Sequence, residues 1–235
     1  VYKRQGCSSI WGASSPATPY TTNDAGQGPA WSNSLFEDNA EYGLGMHVAN
    51  QIKRDRLANK VTAALAAELG SDDTKALLTD WLTNKDEGEG SRQRASKLAA
   101  ALKTETNEGL QAILADEDML VKPSQWIIGG DGWAYDIGYA GIDHLLATNE
   151  DVNILVMDNE LYANTGGQMS KATPTSGIAK FAAGGKKTKK KDLGMMAIAY
   201  NDVYVAQIAI EANPMQAIKA VSYTHLRAHE TRHDL

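Results

Sequence analysis

The sequence predicts an α/β protein, a mainly parallel sheet flanked by helices, carrying a helical insertion. Three observations predict it. After position 121, short apolar runs alternate with helix-patterned segments, the signature of a parallel α/β sheet. The first two runs end in "GGDG" and "DNELYANTGGQ", where such sheets place their ligands. Between about 46 and 120 the chain instead carries only helical patterning, rich in Ala, Leu and charge.

The elements follow in chain order. Residues 6–45 are rich in Gly, Pro, Ser, Thr and Asn and read as ordered but irregular loop; a polar loop this long is uncommon without a function. Ser34 is expected to cap a helix beginning "LFEDNAEYG", with Glu37 in the capping-box position. "VTAALAAEL" is a helix that Gly70 can end, and Ser71 and Asp72 can open the next, "DDTKALLTDWLTNK". "KDEGEG" breaks the pattern before two further helices, "SRQRASKLAAALK" and "NEGLQAILAD". The charges along these helices are read as solvated faces.

From Trp126, "QWIIGG" is a buried strand, "WAYDIGYAGIDHLLATN" a helix, and "DVNILVMDN" a second buried strand. "ELYANTGGQMSKATPTSG" is a long polar loop. "DLGMMAIAYN" suggests a helix, "VYVAQIAI" a third strand, and "NPMQAIKA" a helix with Pro214 in its first turn. The expected division is a domain over 6–220, with an insertion at 46–120 and a strand–helix core at 121–220.

Composition excludes several classes. A net charge of −6 gives no whole-chain reason to expect nucleic-acid binding. No apolar run approaches the roughly 20 residues of a membrane span. One cysteine, Cys7, allows no internal disulfide and fits a reducing, cytoplasmic compartment. The ends "VYKRQ" and "VSYTHLRAHETRHDL" resemble translated adapter sequence, so residues 1–5 and 221–235 are expected to be non-native. His225, His229 and His233 share one face of a hypothetical helix. In a tail of that origin they are read as frayed polar helix, not a metal site.

The chemistry concentrates in "GGDG", residues 129–132. Asp131 stands where a phosphate-cradling turn would sit. A carboxylate about 5 Å from a phosphate oxygen is repelled by roughly 3 kcal/mol at an effective dielectric near 20. The arrangement makes sense if a divalent cation lies between. Magnesium takes oxygen ligands and combines protein groups with substrate phosphates. Asp131 can supply one oxygen, the Asn159 amide a second, and a following carbonyl, that of Leu161, a third. Gly130 and Gly132 would let backbone approach closely, and the helix near Trp133 offers N–H groups. Taken alone, "GGDG" is also an ordinary strand-to-helix turn. A dinucleotide site is disfavoured because G-x-G-x-x-G is absent.

Twenty-six residues, Trp133 to Asp158, separate "GDG" from Asn159. "GDG", helix, strand, then Asn resembles the diphosphate-binding motif of thiamine-diphosphate enzymes. "GGDGWAYDIGYAGIDHLLATNEDVNILVMDNELYANTGGQMSKATPTS", "GCSSIWGASSPATPYTTN" and "GPAWSNSLFEDNAEYGLGM" together resemble the pyruvate:ferredoxin (flavodoxin) oxidoreductase family. The resemblance covers about residues 6–220, a fragment of the C-terminal part of such an enzyme.

That resemblance implies the thiamine-diphosphate-binding fold and assigns Gly130, Asp131, Gly132 and Trp133 to the cofactor diphosphate. It implies magnesium ligands at Asp131, Asn159 and the Leu161 carbonyl. The family usually has threonine where this chain has Asn159. Glu160, Leu161, Tyr162, Ala163 and Asn164 fall on the cofactor-binding segment, and the Asn164 amide would stabilise charge on the substrate oxygen. Cys7 would be one ligand of a [4Fe–4S] cluster. Such a cluster takes four, so this chain is not expected to hold one alone.

The implied reaction is oxidative decarboxylation of pyruvate or another 2-oxo acid to acyl-coenzyme A. Electrons would pass through iron–sulfur centres to ferredoxin or flavodoxin, in a homodimeric enzyme. The alternatives are a non-redox thiamine-diphosphate decarboxylase or transketolase-like domain, and a cofactor-binding fragment without activity of its own. "KKTKKK" is read as a solvated loop in preference to a docking site for an acidic carrier or coenzyme A. His144 is read as a non-catalytic helix residue.

Overall fold

The computed structural model describes residues 2–4, 22, 24, 26, 28–30, 32–34 and 38–226. It divides into two units, residues 46–124 and the remainder.

In the first-named unit, apolar faces of short helices close on one another. It contains most of α1 (Asn39–Ala66), then α2 (Asp72–Thr83), α3 (Ser91–Leu102) and α4 (Glu108–Leu114). Ser71 caps α2, accepting from the Thr74 amide at 3.2 Å, and Asn107 caps α4, accepting from the Gly109 amide at 2.8 Å. Gly70 and Gly90 have φ of +84° and +70°, conformations that favour glycine at the two breaks. Leu57, Val61, Leu78, Trp81, Leu98 and Leu102 fill the interior.

One charge sits inside this unit. Arg54 is 5% exposed. Its guanidinium donates to the carbonyls of Met119 (2.5 Å), Val121 (3.1 Å) and Lys85, and lies 5.8 Å from the Trp81 ring centroid. Burial pulls its pKa below the usual arginine value. The fork thus satisfies carbonyls from two separate turns, and Trp81 adds a hydrogen bond from Nε1 to the Leu120 carbonyl at 2.8 Å.

The second unit holds a four-stranded, wholly parallel sheet, ordered β2–β1–β3–β4. The strands are β1 (Tyr2–Arg4), β2 (Ser32–Ser34), β3 (Trp126–Gly130) and β4 (Asn153–Met157). β3 and β4 pair from Trp126↔Asn153 to Gly130↔Met157, so both end at one level. α5 (Tyr139–Thr148) connects them, ending at Asn149 in the left-handed region (φ 52°). Ile127, Trp133, Ala134, Ile142 and Leu145 form the core under the sheet.

The two ends of the insertion meet in this unit. The Gln125 side chain, buried, donates from Nε2 to the Gly43 carbonyl at 2.5 Å. Gly43 is required there: a Cβ would lie 2.4 Å from Cδ1 of Ile127. This close approach explains the glycine at position 43 within an unbroken helix.

Three sequence expectations are corrected. Ser34 ends a strand, its backbone paired with β1, and the helix begins at Asn39. The segment after "GGDG" opens as a π-helical turn, Gly132–Ile137, before α5. Residues 203–210, "VYVAQIAI", form no strand: the segment joins no ladder, and Tyr204 and Ile210 are exposed. An alternating apolar run becomes a strand only where a partner edge accepts its backbone groups. The remaining elements are the hairpin β5 (Leu161–Tyr162) and β6 (Gln168–Met169), then α6 (Leu193–Ile198) and α7 (Pro214–Leu226).

Replacing Arg54 by Leu strands carbonyls from two turns and should lower the stability of the helical unit by about 3 kcal/mol in chemical denaturation. Trp81→Phe, which removes one hydrogen bond, should cost about 1 kcal/mol.

Candidate functional site

The parallel register carries Asp131 and Asn159 to the same end of the sheet. Asp131 follows Gly130, the last residue of β3, and Asn159 lies two residues beyond β4. Asp131 is fully buried. The Asn159 amide lies against it: one terminal atom stands 2.5 Å from Asp131 Oδ1 and 3.0 Å from the Leu161 carbonyl oxygen. If that atom is oxygen, three acceptors converge with no donor among them. If the amide is turned over, its NH₂ donates to both oxygens. The third way to relieve the crowding is a cation between the oxygens.

This is the donor set that magnesium uses: one carboxylate, one amide and one carbonyl, with further positions left for phosphate and water. Oxygen pairs at an octahedral edge lie about 3 Å apart for metal–oxygen distances near 2.1 Å. The 3.0 Å from the Asn159 terminal atom to the Leu161 carbonyl oxygen equals that edge, and the 2.5 Å to Asp131 Oδ1 is shorter. Among the described residues no three His, Cys, Asp or Glu side chains cluster to hold a metal. A site with one carboxylate and two neutral oxygens needs no such cluster.

The other oxygen of Asp131 is also engaged. Ser170, 5% exposed, donates from Oγ to Asp131 Oδ2 at 2.6 Å. Burial pushes the Asp131 pKa up to about 6; the Ser170 hydrogen bond opposes the shift, and the nearby Asp158 charge adds to it.

The loop from Asp158 to Lys191 is fastened around this carboxylate. Thr173 Oγ1 donates to the Glu160 carbonyl and accepts from the Ser170 amide at 2.9 Å. The Lys171 amide donates to Asp136 Oδ2 at 2.9 Å. Tyr135 donates its hydroxyl to Asp158 Oδ2 at 2.9 Å, and burial, then that hydrogen bond, raises its pKa. Glu160 takes a left-handed backbone (φ 67°), with its amide donating to Asp158 Oδ1 at 3.1 Å.

"KKTKKK" is not simply a solvated loop. Lys186 is buried and donates from Nζ to the Thr173 carbonyl (2.6 Å) and the Lys171 carbonyl (3.2 Å). Lys190 pairs with Asp158 (2.7 Å) and Glu160 (3.1 Å). Lys191 donates to the Tyr135 carbonyl and lies 3.2 Å from the Tyr139 ring centroid. Of the five lysines in this run only Lys187 and Lys189 are exposed. Buried carbonyls without ladder partners are the reason: the lysines satisfy them.

The glycines have a packing role as well. A Cβ on Gly132 would lie 2.3 Å from the Tyr162 ring, so glycine lets that ring lie on the turn. Trp133 is fully buried between Gly129 and Gly138, each of which a Cβ would drive into the indole. Its side chain therefore packs in the core. Its Nε1 has no hydrogen-bond partner among the described residues.

Asp131, Asn159 and Leu161 are thus brought together, with Gly130, Gly132, Glu160 and Tyr162 around them. Ala163 is half-buried at the start of the β5–β6 turn, and Asn164 is exposed on that turn, two residues beyond Tyr162. His144 lies on the exposed side of α5. Cys7, His229, His233 and the side chain of His225 lie outside the described residues. Sequence reasoning missed Ser170, Thr173, Tyr135, Asp158 and Lys190. The only available signal was "SKAT", where two hydroxyls three residues apart favour a local side-chain turn.

Comparison with known proteins adds independent findings. Residues 53–110 match the family described as "Pyruvate-ferredoxin oxidoreductase, insertion domain". Residues 109–228 match "Thiamine pyrophosphate enzyme, C-terminal TPP binding domain". The pyruvate-flavodoxin oxidoreductase of Klebsiella pneumoniae is 57% identical over 220 residues, covering 92% of this chain and 19% of that protein. The pyruvate:ferredoxin oxidoreductase of Moorella thermoacetica is 52% identical, with the same coverage of each chain. The mitochondrial pyruvate dehydrogenase [NADP(+)] of Euglena gracilis is 48% identical, covering 92% of this chain and 12% of that protein. The chain spans about a fifth of the length of the first two.

Because its folded-state pKa is raised, charged Asp131 costs stability above pH 6, and that cost disappears as pH falls toward 4. Asp131→Asn should therefore raise the melting temperature of the metal-free chain at pH 7.5 and leave it nearly unchanged at pH 4. Gly132→Ala should destabilise this unit, and adding Tyr162→Ala should recover most of the loss, as read by paired melting curves.

Proposed function

The chain belongs to the pyruvate:ferredoxin (flavodoxin) oxidoreductase family, in its thiamine-pyrophosphate-binding part, and on that premise we propose that it holds the cofactor diphosphate through a magnesium ion on Asp131, Asn159 and the Leu161 carbonyl. The carrying observation is the convergence of the Asp131 carboxylate, the Asn159 amide and the Leu161 carbonyl at the tips of two neighbouring parallel strands. A cation there would take the carboxylate, the carbonyl and, with the amide turned, its oxygen as ligands. Asp131 supplies the charge, and Ser170 keeps its carboxylate oriented. Asn159 would turn its amide oxygen toward the cation, and the left-handed backbone at Glu160 leads into the Leu161 carbonyl, 3.0 Å from that amide.

When bound, thiamine diphosphate supplies the electron sink for cleaving the carboxylate from a 2-oxo acid. This chain's share is binding and orientation. Gly130 and Gly132 would let the backbone approach the diphosphate closely. Asn164, exposed on the β5–β6 turn, would donate from its amide to the substrate's keto oxygen. The whole enzyme would oxidise pyruvate in the cytoplasm as a homodimer, passing the acyl group to coenzyme A and electrons through iron–sulfur centres to ferredoxin or flavodoxin. Cys7 would be one cluster ligand, completed by cysteines elsewhere in that enzyme. The match of residues 53–110 to the family's insertion domain supports this reading over a non-redox decarboxylase or transketolase-like one.

Titration of the chain with thiamine diphosphate should give saturable heat in the presence of magnesium and little with chelator. Asp131→Ala should abolish the magnesium-dependent part, and Asn159→Ala should weaken it about tenfold or more. Equal binding by Asp131→Ala would remove the metal-bridge assignment.

A further inference from the structure

We propose that Ser170 determines which cation this site accepts, by holding Asp131 to a single coordinating oxygen. The inference rests on the metal-site reading above. Its observation is different: the two oxygens of Asp131 have separate partners. Oδ1 faces the Asn159 amide, and Oδ2 accepts the Ser170 hydroxyl at 2.6 Å.

The hydroxyl is the donor in that hydrogen bond, because an ionised Asp131 can only accept, while Ser170 Oγ itself accepts the Ala172 amide at 3.0 Å. The serine cannot swing away cheaply. It is buried, and its own amide donates to Thr173 Oγ1 at 2.9 Å. The Thr173 carbonyl in turn accepts from Lys186 Nζ at 2.6 Å. A hydroxyl donating to a carboxylate is a short, charge-assisted bond. Oδ2 is therefore committed, and Asp131 offers only Oδ1.

A carboxylate restricted to one oxygen suits magnesium, which demands near-octahedral geometry and dehydrates reluctantly. Calcium takes six to eight oxygens and readily uses both oxygens of one carboxylate. Removing the Ser170 donor releases Oδ2 and permits the two-oxygen mode. Ser170 is thus a positioning residue, and its signature is the ratio of two affinities.

The test uses the full chain with thiamine diphosphate, titrated with magnesium or with calcium, alongside the melting temperature without metal. Ser170→Ala should lower the magnesium-to-calcium affinity ratio about tenfold, while Ser170→Thr, which keeps the hydroxyl, should retain the wild-type ratio. Equal loss of both affinities in Ser170→Ala, or an unchanged ratio, overturns the inference, because a merely structural serine would do one or the other. A ratio in Ser170→Thr equal to that of Ser170→Ala also overturns it. If alanine prevents folding, Ser170→Cys, a much weaker donor, carries the same comparison. Failure of the underlying site looks different: there, Asp131→Ala would leave cation-dependent binding intact.

Discussion

Everything at this end of the sheet depends on one convergence of polar groups. The Asn159 amide stands within hydrogen-bond distance of both the buried Asp131 carboxylate and the Leu161 main-chain carbonyl. Two fixed features create this convergence of oxygens. Parallel pairing brings β3 and β4 to a common end, and the left-handed residue at Glu160 turns the chain back toward Asp131. Without a cation, the Asn159 amide can relieve it by presenting nitrogen; with one, it presents oxygen. The same side chain thus suits both states with a rotation about its terminal bond.

Holding such a point requires a rigid surround, and polar groups provide it. The loop from Asp158 to Lys191 has little regular structure, so its carbonyls need partners. Lys186 and Thr173 supply them within the loop, Lys191 and Ser170 tie the loop to the Tyr135 carbonyl and the Asp131 carboxylate, and the Asp158, Glu160 and Lys190 cluster closes the outer side. The exposed ion pairs contribute little each. The buried hydrogen bonds carry more, since losing one partner would leave a desolvated group unsatisfied.

The sequence made the central elements legible because their patterns are strong. "WIIGG" and "NILVM" are apolar, bounded and of strand length, and both became paired strands. The caps at Ser71 and Asn107 follow from residue type. Asp131 and Asn159 were legible because a carboxylate at a phosphate-type turn needs a physical reason. Other features depend on contacts distant in sequence. Gly132 is glycine because of Tyr162, thirty positions later, and Gly43 because of Ile127. Ser170 reaches Asp131 across 39 positions with no periodicity to announce it. The lysine run looked like a charged surface because local composition cannot show which carbonyls lack partners. "VYVAQIAI" had a strand's alternation without an available edge.

The contact between Gln125 and the Gly43 carbonyl has a topological consequence. It staples together the points where the polypeptide leaves the sheet-bearing unit and re-enters it. For that unit, the intervening helices amount to a closed loop, whatever their length. Loop-closure entropy grows only slowly with size. An inserted module fastened this way can be enlarged, shortened or exchanged with little thermodynamic penalty to the sheet, which makes the staple a natural graft point.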